Sequence, residues 1–453
     1  MVTSGAAIDS SVPREPPASR VRYLILTTLF VVTTVNYADR AALSIAGPTA
    51  AKQLGLSPVA LGYILSAFGW AYVIGQIPGG WLLDRFGSTR VYTTSIFAWS
   101  VFTLLQGFAG AFRSGMAVAV LFVLVFLMGL SEAPSFPGNG RIVAAWFPTR
   151  ERGTASAVFN AAQYSATVVF APLSGWITQA LGWPYVFLVL GSLGILLTPI
   201  FWKTVRSPAG HSRVNQAELD YIERGGGLVR MDQPSQVRAA QAGSTWAALG
   251  QLLTNRTLLG IYIGQYCITT LTYFFLTWFP IYLIAGRGLT SLKAGLGASL
   301  PALFGFCGGI LGGVFSDHLL KKGWSLTAAR KTPIVVGMLL SASMIACNYV
   351  DAVWAVLAIM CVAFFGKGIG ALGWAVVSDT SPRERAGLCG SLFNTFGNTA
   401  AITTPIVIGY IVQVTGSFNG ALVFVAANAV MAIVCYVVVV GEISRVELRT
   451  TER

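Results

Sequence analysis

Charge is what this chain has least of. Of its 453 residues only 10% are Asp, Glu, Lys or Arg, against about a quarter in ordinary soluble domains. Meanwhile 55% are hydrophobic and the mean hydropathy is +0.68. So few charges cannot clothe a water-facing surface, which excludes a soluble globular protein. Histidine is scarcer still: His211 and His318 are the only two, too few for a His-rich metal site. The six cysteines, Cys267, Cys307, Cys347, Cys361, Cys389 and Cys435, are scattered through apolar stretches with no pair at metal or redox spacing, and read as packing residues. There is no Gly-x-x-x-x-Gly-Lys-Ser/Thr loop, so direct coupling to ATP is not expected. No nucleophile and base stand out together. Neither an enzyme nor a metal or cofactor protein is expected.

What the chain does have is long apolar runs. Twelve are long enough to cross the ~30 Å hydrocarbon core of a bilayer: 22–46, 58–83, 89–112, 115–139, 153–181, 183–203, 254–284, 291–316, 332–350, 352–378, 387–413 and 418–441. This predicts an all-α polytopic membrane protein. The net charge of +13 could suggest nucleic acid as a partner, but its placement argues otherwise. With a cytoplasmic N-terminus, only Lys52, Arg113, Arg287 and Lys293 fall in outside loops, and Arg40 and Lys367 lie within spans. The rest gather on the inside, a bias that orients both termini to the cytoplasm of an inner membrane. Residues 1–20, with Pro13, Arg14, Pro16, Pro17 and Arg20, read as a disordered cytoplasmic tail and not as a secretion signal.

The chain repeats itself. Gly80-Trp-Leu-Leu-Asp84-Arg85-Phe-Gly87-Ser-Thr-Arg90 follows the second span, and Gly313-Val-Phe-Ser-Asp317-His318-Leu-Leu-Lys321-Lys322 follows the eighth. Pro148-Thr-Arg150-Glu151-Arg152-Gly153 follows the fourth, and Pro382-Arg383-Glu384-Arg385-Ala-Gly387 follows the tenth. Asp84 to Asp317 and Glu151 to Glu384 are both offsets of 233 residues, and Phe159-Asn160 before Pro172 returns as Phe393-Asn394 before Pro405. The expected organisation is two six-helix pseudo-repeats at 21–203 and 251–441, a cytoplasmic linker at 204–250 that is helical around Asn215 to Arg224, and a tail at 442–453. Parallel repeats of this kind place a substrate site between them near the midplane and rock about it.

Asn36-Tyr37-Ala-Asp39-Arg40 sets an acid and a base inside the first apolar run. An ionised side chain at that depth costs at least about 2.5–3.5 kcal/mol on insertion scales, so such residues pair or line a wet cavity and are functional candidates by default. Arg40 offers the planar, permanently charged fork that fits a carboxylate, with Tyr37 one turn earlier on the same face. Alternatively it only neutralises Asp39. Of the seventeen acids, Asp39 and Glu132 alone sit deep in a span. Burial and a neighbouring cation act oppositely on a carboxylate's hold on its proton, so a conformational change altering either can load and release one. A structural hydrogen bond from Glu132 is the plainer alternative.

The loops at Gly80 and Gly313 and the six-plus-six layout resemble the major facilitator superfamily. Within it, Asn36 to Arg40 and Glu132-Ala-Pro-Ser-Phe-Pro-Gly-Asn139 resemble the anion:cation symporters. Tyr273-Phe-Phe-Leu-Thr-Trp-Phe-Pro280 and Phe365-Gly-Lys-Gly-Ile-Gly-Ala-Leu-Gly-Trp374 narrow the likeness to glucarate and galactarate permeases. The resemblance implies proton-coupled import of a sugar acid by a monomer, with protons as the coupling ion and no other cofactor. It gives Arg40 to the substrate and proton coupling to Asp39 and Glu132. It favours Tyr72, Gln163, Trp374 and Asn394 as substrate neighbours, though each could instead be an interhelical hydrogen bond of ~0.6 kcal/mol. It also reads Asp84, Arg85, Arg90, Glu151, Asp317 and Glu384 as gating charges, although such clusters at helix ends would form in a static protein too. Lys367, flanked by Gly366 and Gly368 with Trp374 two turns on, either takes a second carboxylate or snorkels or pairs with Asp39 or Glu132. One departure stands out: seven residues before Glu132, where relatives usually carry an arginine, this chain has Val125. With no cation there for Glu132, weakened proton coupling or a bias toward one conformation is expected. A carrier of another organic anion, such as a hexuronate or aldonate, left uncoupled where Val125 replaces the family arginine, and a non-transporting membrane sensor are the other readings.

Overall fold

The computed structural model describes residues 19–148, 151–229, 245–382 and 386–447. Among these the chain is helical, with no strand. The first half comprises α1 (Val21–Leu54), α2 (Pro58–Phe86), α3 (Ser88–Gln106), α4 (Ser114–Glu132), α5 (Ser135–Trp146), α6 (Arg152–Ala180) and α7 (Trp183–Thr204). Two short helices follow, α8 (Gln216–Arg224) and α9 (Thr245–Thr254). The second half comprises α10 (Arg256–Tyr273), α11 (Phe279–Ile281), α12 (Ser291–Lys321), α13 (Leu326–Ala342), α14 (Val353–Ile369), α15 (Gly373–Thr380), α16 (Ala386–Thr415) and α17 (Asn419–Val434).

Grouped into rods, these are the twelve expected crossings. Eleven are long and apolar enough to span a bilayer. The other is α6, 29 residues long, which carries Asn160, Gln163, Ser165 and Thr167 on its path through the centre. The first rod runs to Leu54, past the expected end at 46, and so places Asp39 and Arg40 near its middle. Interior prolines such as Pro48, Pro172, Pro301 and Pro405 leave these helices intact, as neighbouring helices in a membrane allow. Around Pro280 the backbone widens into two π turns, Phe274–Trp278 and Tyr282–Gly286, that flank α11. Such turns absorb the missing amide and recur at functional sites. Two rods are broken: α4 gives way to α5 across Ala133-Pro134, and α14 to α15 across Gly370–Leu372.

The halves meet through α2 against α16 and α6 against α12. Each of these helices closes on its partner at one end only. A Cβ on Gly62 would stand 2.6 Å from the Pro405 carbonyl oxygen, and one on Gly69 would stand 2.8 Å from Ala401. Three turns further along the same face, Gly80 has nothing within 4 Å. On α12, Gly295 presses on the Ala171 carbonyl, whereas Gly309 and Gly313 stand clear. The hydrogen bonds joining the halves among the described residues lie toward the closed end: Val59 N–H to Gln413 Oε1 (3.2 Å), the Tyr63 and Tyr410 hydroxyls (3.3 Å), and Ser299 Oγ to the carbonyls of Thr167 (3.4 Å) and Val168 (3.3 Å). The molecule is therefore splayed toward the face that carries residue 19, the 205–229 segment and residues 441–447, here called the terminal face.

On that face α8 is bound to the first half. Glu218 is fully buried and accepts from Ser19 Oγ (2.6 Å), the Val21 and Arg22 amides (3.0 and 3.2 Å) and Arg22 Nη1 (3.2 Å). It thus supplies, from 196 residues away, the acceptors that the first turn of α1 lacks. Trp146 Nε1 donates to the Arg206 carbonyl (2.9 Å) and the Leu228 amide to that of Ala144 (3.0 Å).

Candidate functional site

At mid-depth, α1 and the α4–α5 break bring the sequence's isolated charges together. Arg40 Nε donates to Glu132 Oε2 at 2.7 Å, with both side chains almost wholly buried. Arg40 Nη2 donates to Asn36 Oδ1 at 3.1 Å, one turn back. Three rings surround the guanidinium, Phe68 at 4.3 Å, Tyr37 at 4.5 Å and Tyr72 at 5.0 Å. A weakly hydrated cation suits such a cage. Arg40 is therefore committed to Glu132, and the expectation that it neutralises its neighbour Asp39 is not met by any ion pair among the described residues. Glu132 Oε1 and Asn36 Nδ2 each lack a well-formed hydrogen bond, though Asn36 stands close to the carboxylate.

Asp39 lies 100° round the helix from Arg40 and has different surroundings. It is 3% exposed, and neither carboxyl oxygen has a hydrogen-bond partner. It lines a small cavity with Arg40 itself, Leu43, Leu65, Phe68, Gln106, Val125, Met128, Tyr273, Leu276 and Thr277. Thr103 is close by, but its hydroxyl is turned to Met128 Sδ at 3.4 Å. This corrects one expectation: position 125 shares the cavity of Asp39, while Glu132 has its cation in Arg40. The seven-residue spacing places 125 and 132 on one face of α4, but only Glu132 reaches Arg40 in an ion pair, while Val125 lines the cavity that Asp39 and Arg40 share.

A second cavity opens between the halves, lined by Tyr37, Gln163, Tyr164, Thr167, Thr272, Phe275, Leu276, Ala298, Ala302 and Phe364. Tyr37 joins it to the Arg40 cage, and Gln163 faces it with its amide nitrogen donating to the Asn160 carbonyl (3.1 Å). On the far side Lys367 is 6% exposed. Its ammonium stands 5.4 Å from the Phe364 ring and 6.0 Å from that of Tyr164. Among the described residues it forms no ion pair within 4.0 Å, so pairing with Asp39 or Glu132 does not occur here. Rings give a cation about 0.5–2 kcal/mol, less than the at least roughly 2.5 kcal/mol that its depth costs.

Asn394 accepts from Asn398 Nδ2 through its side-chain oxygen at 3.1 Å, and Asn398 Oδ1 in turn accepts from the Tyr273 hydroxyl at 3.4 Å. Trp374 is 56% exposed and meets Phe393 edge-on at 4.8 Å. It does not continue the face of Lys367 as the seven-residue spacing suggested, because the break at Gly370–Leu372 re-aims α15. Gln106 and Gln265, which packs beside Gly373 and Gly397, went unmarked in the sequence, and Tyr273 stands out there only within a family motif and not as a site residue. A polar residue in an apolar run was the signal, one that Gln265 shares with Gln76.

The expected gating charges that the structure describes, Arg85, Arg90, Glu151 and Asp317, stay within their own halves. Arg85 lies over Trp81 at 5.2 Å, and Arg90 edges an open groove with Leu82, Phe86 and Leu130. Glu151 accepts from Arg22 Nε (3.2 Å) and the Tyr221 hydroxyl (2.5 Å). Asp317 is 3.7 Å from Arg330, which also donates to Asp379 at 2.9 Å. The side chain of Asp84 and the whole of Glu384 lie outside the described residues. No group of three or more His, Cys, Asp or Glu suited to a metal occurs among the described residues.

Comparison with known proteins follows the same architecture. Residues 29–329 match the model of the Major Facilitator Superfamily. The chain is 64% identical, over 96% of its length and 95% of the relative's, to a probable galactarate/D-glucarate transporter of Bacillus subtilis strain 168. It is 58% identical to its namesake in Escherichia coli K12, over 95% of this chain and 96% of that one. A D-galactonate transporter of Escherichia coli O6:H1 is 40% identical over 97% of this chain and all of its own. Among solved structures, a bacterial homolog of the human lysosomal transporter Spinster, inward-facing and unoccupied, superposes with a TM-score of 0.68 at 18% identity, over 93% of this chain and 95% of that one, a likeness of fold. Twelve crossings in two related halves around a charged centre, and relatives that are transporters and not enzymes, have one meaning: this chain is a multi-pass membrane protein belonging to the major facilitator superfamily.

Proposed function

We propose that the protein imports a sugar acid of the glucarate and galactarate class across the bacterial inner membrane together with protons, by alternating access. The observation that carries this reading is the Arg40–Glu132 pair, a guanidinium held off lipid at the junction of two halves that part toward one face only. The names of the relatives at 56–64% identity support the substrate class. With the terminal face cytoplasmic, as the distribution of Lys and Arg favours, the conformation described is open inward.

In this reading an incoming carboxylate displaces Glu132 from Arg40, and Glu132 takes up a proton as it loses its cation. The two events are coupled because one guanidinium serves both anions in turn. Tyr37 and Tyr72 flank the exchange from the ring cage, Gln163 and Asn394 offer donors and acceptors to the hydroxyls, and Trp374 stands at the open side. Asp39 is the second proton site. The charges at Asp84, Arg85, Arg90, Glu151, Asp317 and Glu384 act as the terminal-face gate, meeting across the halves only when that face closes. The test is uptake of labelled sugar acid by proteoliposomes with and without an inward-directed proton gradient. Gradient-stimulated accumulation is expected. Equal uptake in both would leave an uncoupled carrier, and binding without uptake would leave a sensor.

A further inference from the structure

Lys367 is the deepest charge in the second half, and no acid among the described residues answers it. The described acids of that half, Asp317, Asp351, Asp379, Glu442 and Glu447, lie toward the ends of its rods or beyond them. Of the two deep acids in the first half, Glu132 is held by Arg40 at 2.7 Å and Asp39 lines a separate small cavity with Arg40, Val125 and Met128. Lys367 has no hydrogen-bond partner among the described residues either, although it is only 6% exposed.

The backbone aims it. A Cβ on Gly366 would meet the Gly337 carbonyl and Leu340 of α13, and one on Gly368 would meet the Gly305 carbonyl of α12. Those two contacts clamp the last turns of α14 between neighbours and leave the side chain the direction of Tyr164 and Phe364, 6.0 and 5.4 Å from its ammonium. Both rings line the central cavity, whose opposite wall is Tyr37, the residue that cages Arg40. Lys367 stands just ahead of the break in its rod, as Glu132 stands just ahead of the break in the related rod of the first half.

A site with one cation in each half, the first already paired and the second not, is one anion short. We propose that Lys367 receives the second carboxylate of a dicarboxylic sugar acid, making the protein selective for diacids over monoacids of the same carbon skeleton. This rests on the sugar-acid reading above and adds to it a residue and a direction of preference. A diacid would span the halves, one end at Arg40 and the other at Lys367, whereas a monoacid leaves the ammonium buried without an anion.

The experiment is equilibrium binding to the full-length protein in lipid nanodiscs, using a six-carbon aldaric acid, the aldonic acid of the same stereochemistry, and the aldaric acid with one carboxyl converted to the amide. Removing one partner of a buried charge pair weakens binding by roughly thirty-fold or more. Wild type is therefore expected to hold the diacid at least about thirty-fold tighter than the half-amide or the aldonic acid. Lys367→Met is expected to lose that preference while its affinity for the aldonic acid stays within about two-fold, and Lys367→Arg to keep it. Equal loss of all three ligands in Lys367→Met, or a half-amide bound by wild type as tightly as the diacid, would overturn the proposal. The half-amide arm needs no variant and so decides the matter even where a variant fails to fold. Wild type binding none of the three would overturn the sugar-acid reading itself.

Discussion

Asp39 and Arg40 are adjacent in the chain and line one cavity, but differ in their polar partners. Arg40 has a carboxylate, an amide and three rings; neither oxygen of Asp39 has a hydrogen-bond partner, and Val125 and Met128 wall the cavity beside it. Both were legible in the sequence, since a charge inside an apolar run is rare enough to stand out. Their partners were not, because Glu132 lies 92 residues from Arg40 and helical periodicity says nothing about which rod a face will meet. The valine at 125 has a direct consequence for Asp39. An arginine there would stand in the same cavity and give that carboxylate an ion pair to exchange for a proton in each cycle. Val125→Arg is expected to raise the ratio of uptake with an inward proton gradient to uptake without one by about five-fold or more, the size of an ordinary coupling free energy. The same ratio in both proteins would show that Asp39 takes no part in coupling.

At the scale of elements, small residues decide where rods touch. In a membrane, association of helices draws on close packing and not on expulsion of water, so Gly62 and Gly69 of α2 against Pro405 and Ala401 of α16 act as a closure. Gly62→Leu should wedge this seam, at an overpacking cost of about 1–3 kcal/mol, and shift the molecule away from the splayed conformation described. Spin labels at Leu56 and Ser417 would read a longer distance, and uptake would fall. An unchanged distance would mean that the seam yields without opening. The glycines were visible in the sequence, but which of them press on another backbone was not: Gly62 and Gly80 read alike there, and only the tilt of α2 separates them. The two broken rods were half legible, through Pro134 and the Gly366 to Gly373 run, whereas the redirection of Trp374 by the second break was invisible.

Across the whole molecule, the segment 205–229 belongs to the first half and does not hang free between the two. Glu218 caps α1, and Tyr221 and Arg22 both hold Glu151. His211 packs edge-on to Trp146 at 5.4 Å, and its Nδ1 accepts from the Arg213 amide at 3.2 Å. Burial pushes this imidazole below its ordinary value, so docking favours the neutral ring. The stabilisation is present above the unfolded pKa of about 6.5 and is lost as pH falls through the lower, docked value. Protection of the 205–229 amides, measured as exchange relative to the intrinsic rate at each pH, is therefore expected to fall between pH 7.5 and 5.5, and Glu218→Ala to lower it at both, by removing charge-assisted bonds worth about 1.5–3 kcal/mol each. Protection indifferent to pH would remove His211 from the lock.

The sequence by itself determined the class of the molecule, its twelve crossings, its doubled layout and the depth of its few charges. These follow from length, apolar runs and a repeated offset, all local or countable along the chain. Only the tertiary structure decided that Arg40 is taken by Glu132, that Val125 faces Asp39, that Lys367 is left without an anion, and that the halves part at the terminal face. Each of those depends on the rotation and tilt of one rod against another. A rotation of 100° about a helix axis, one residue's worth, is enough to exchange a paired charge for a free one.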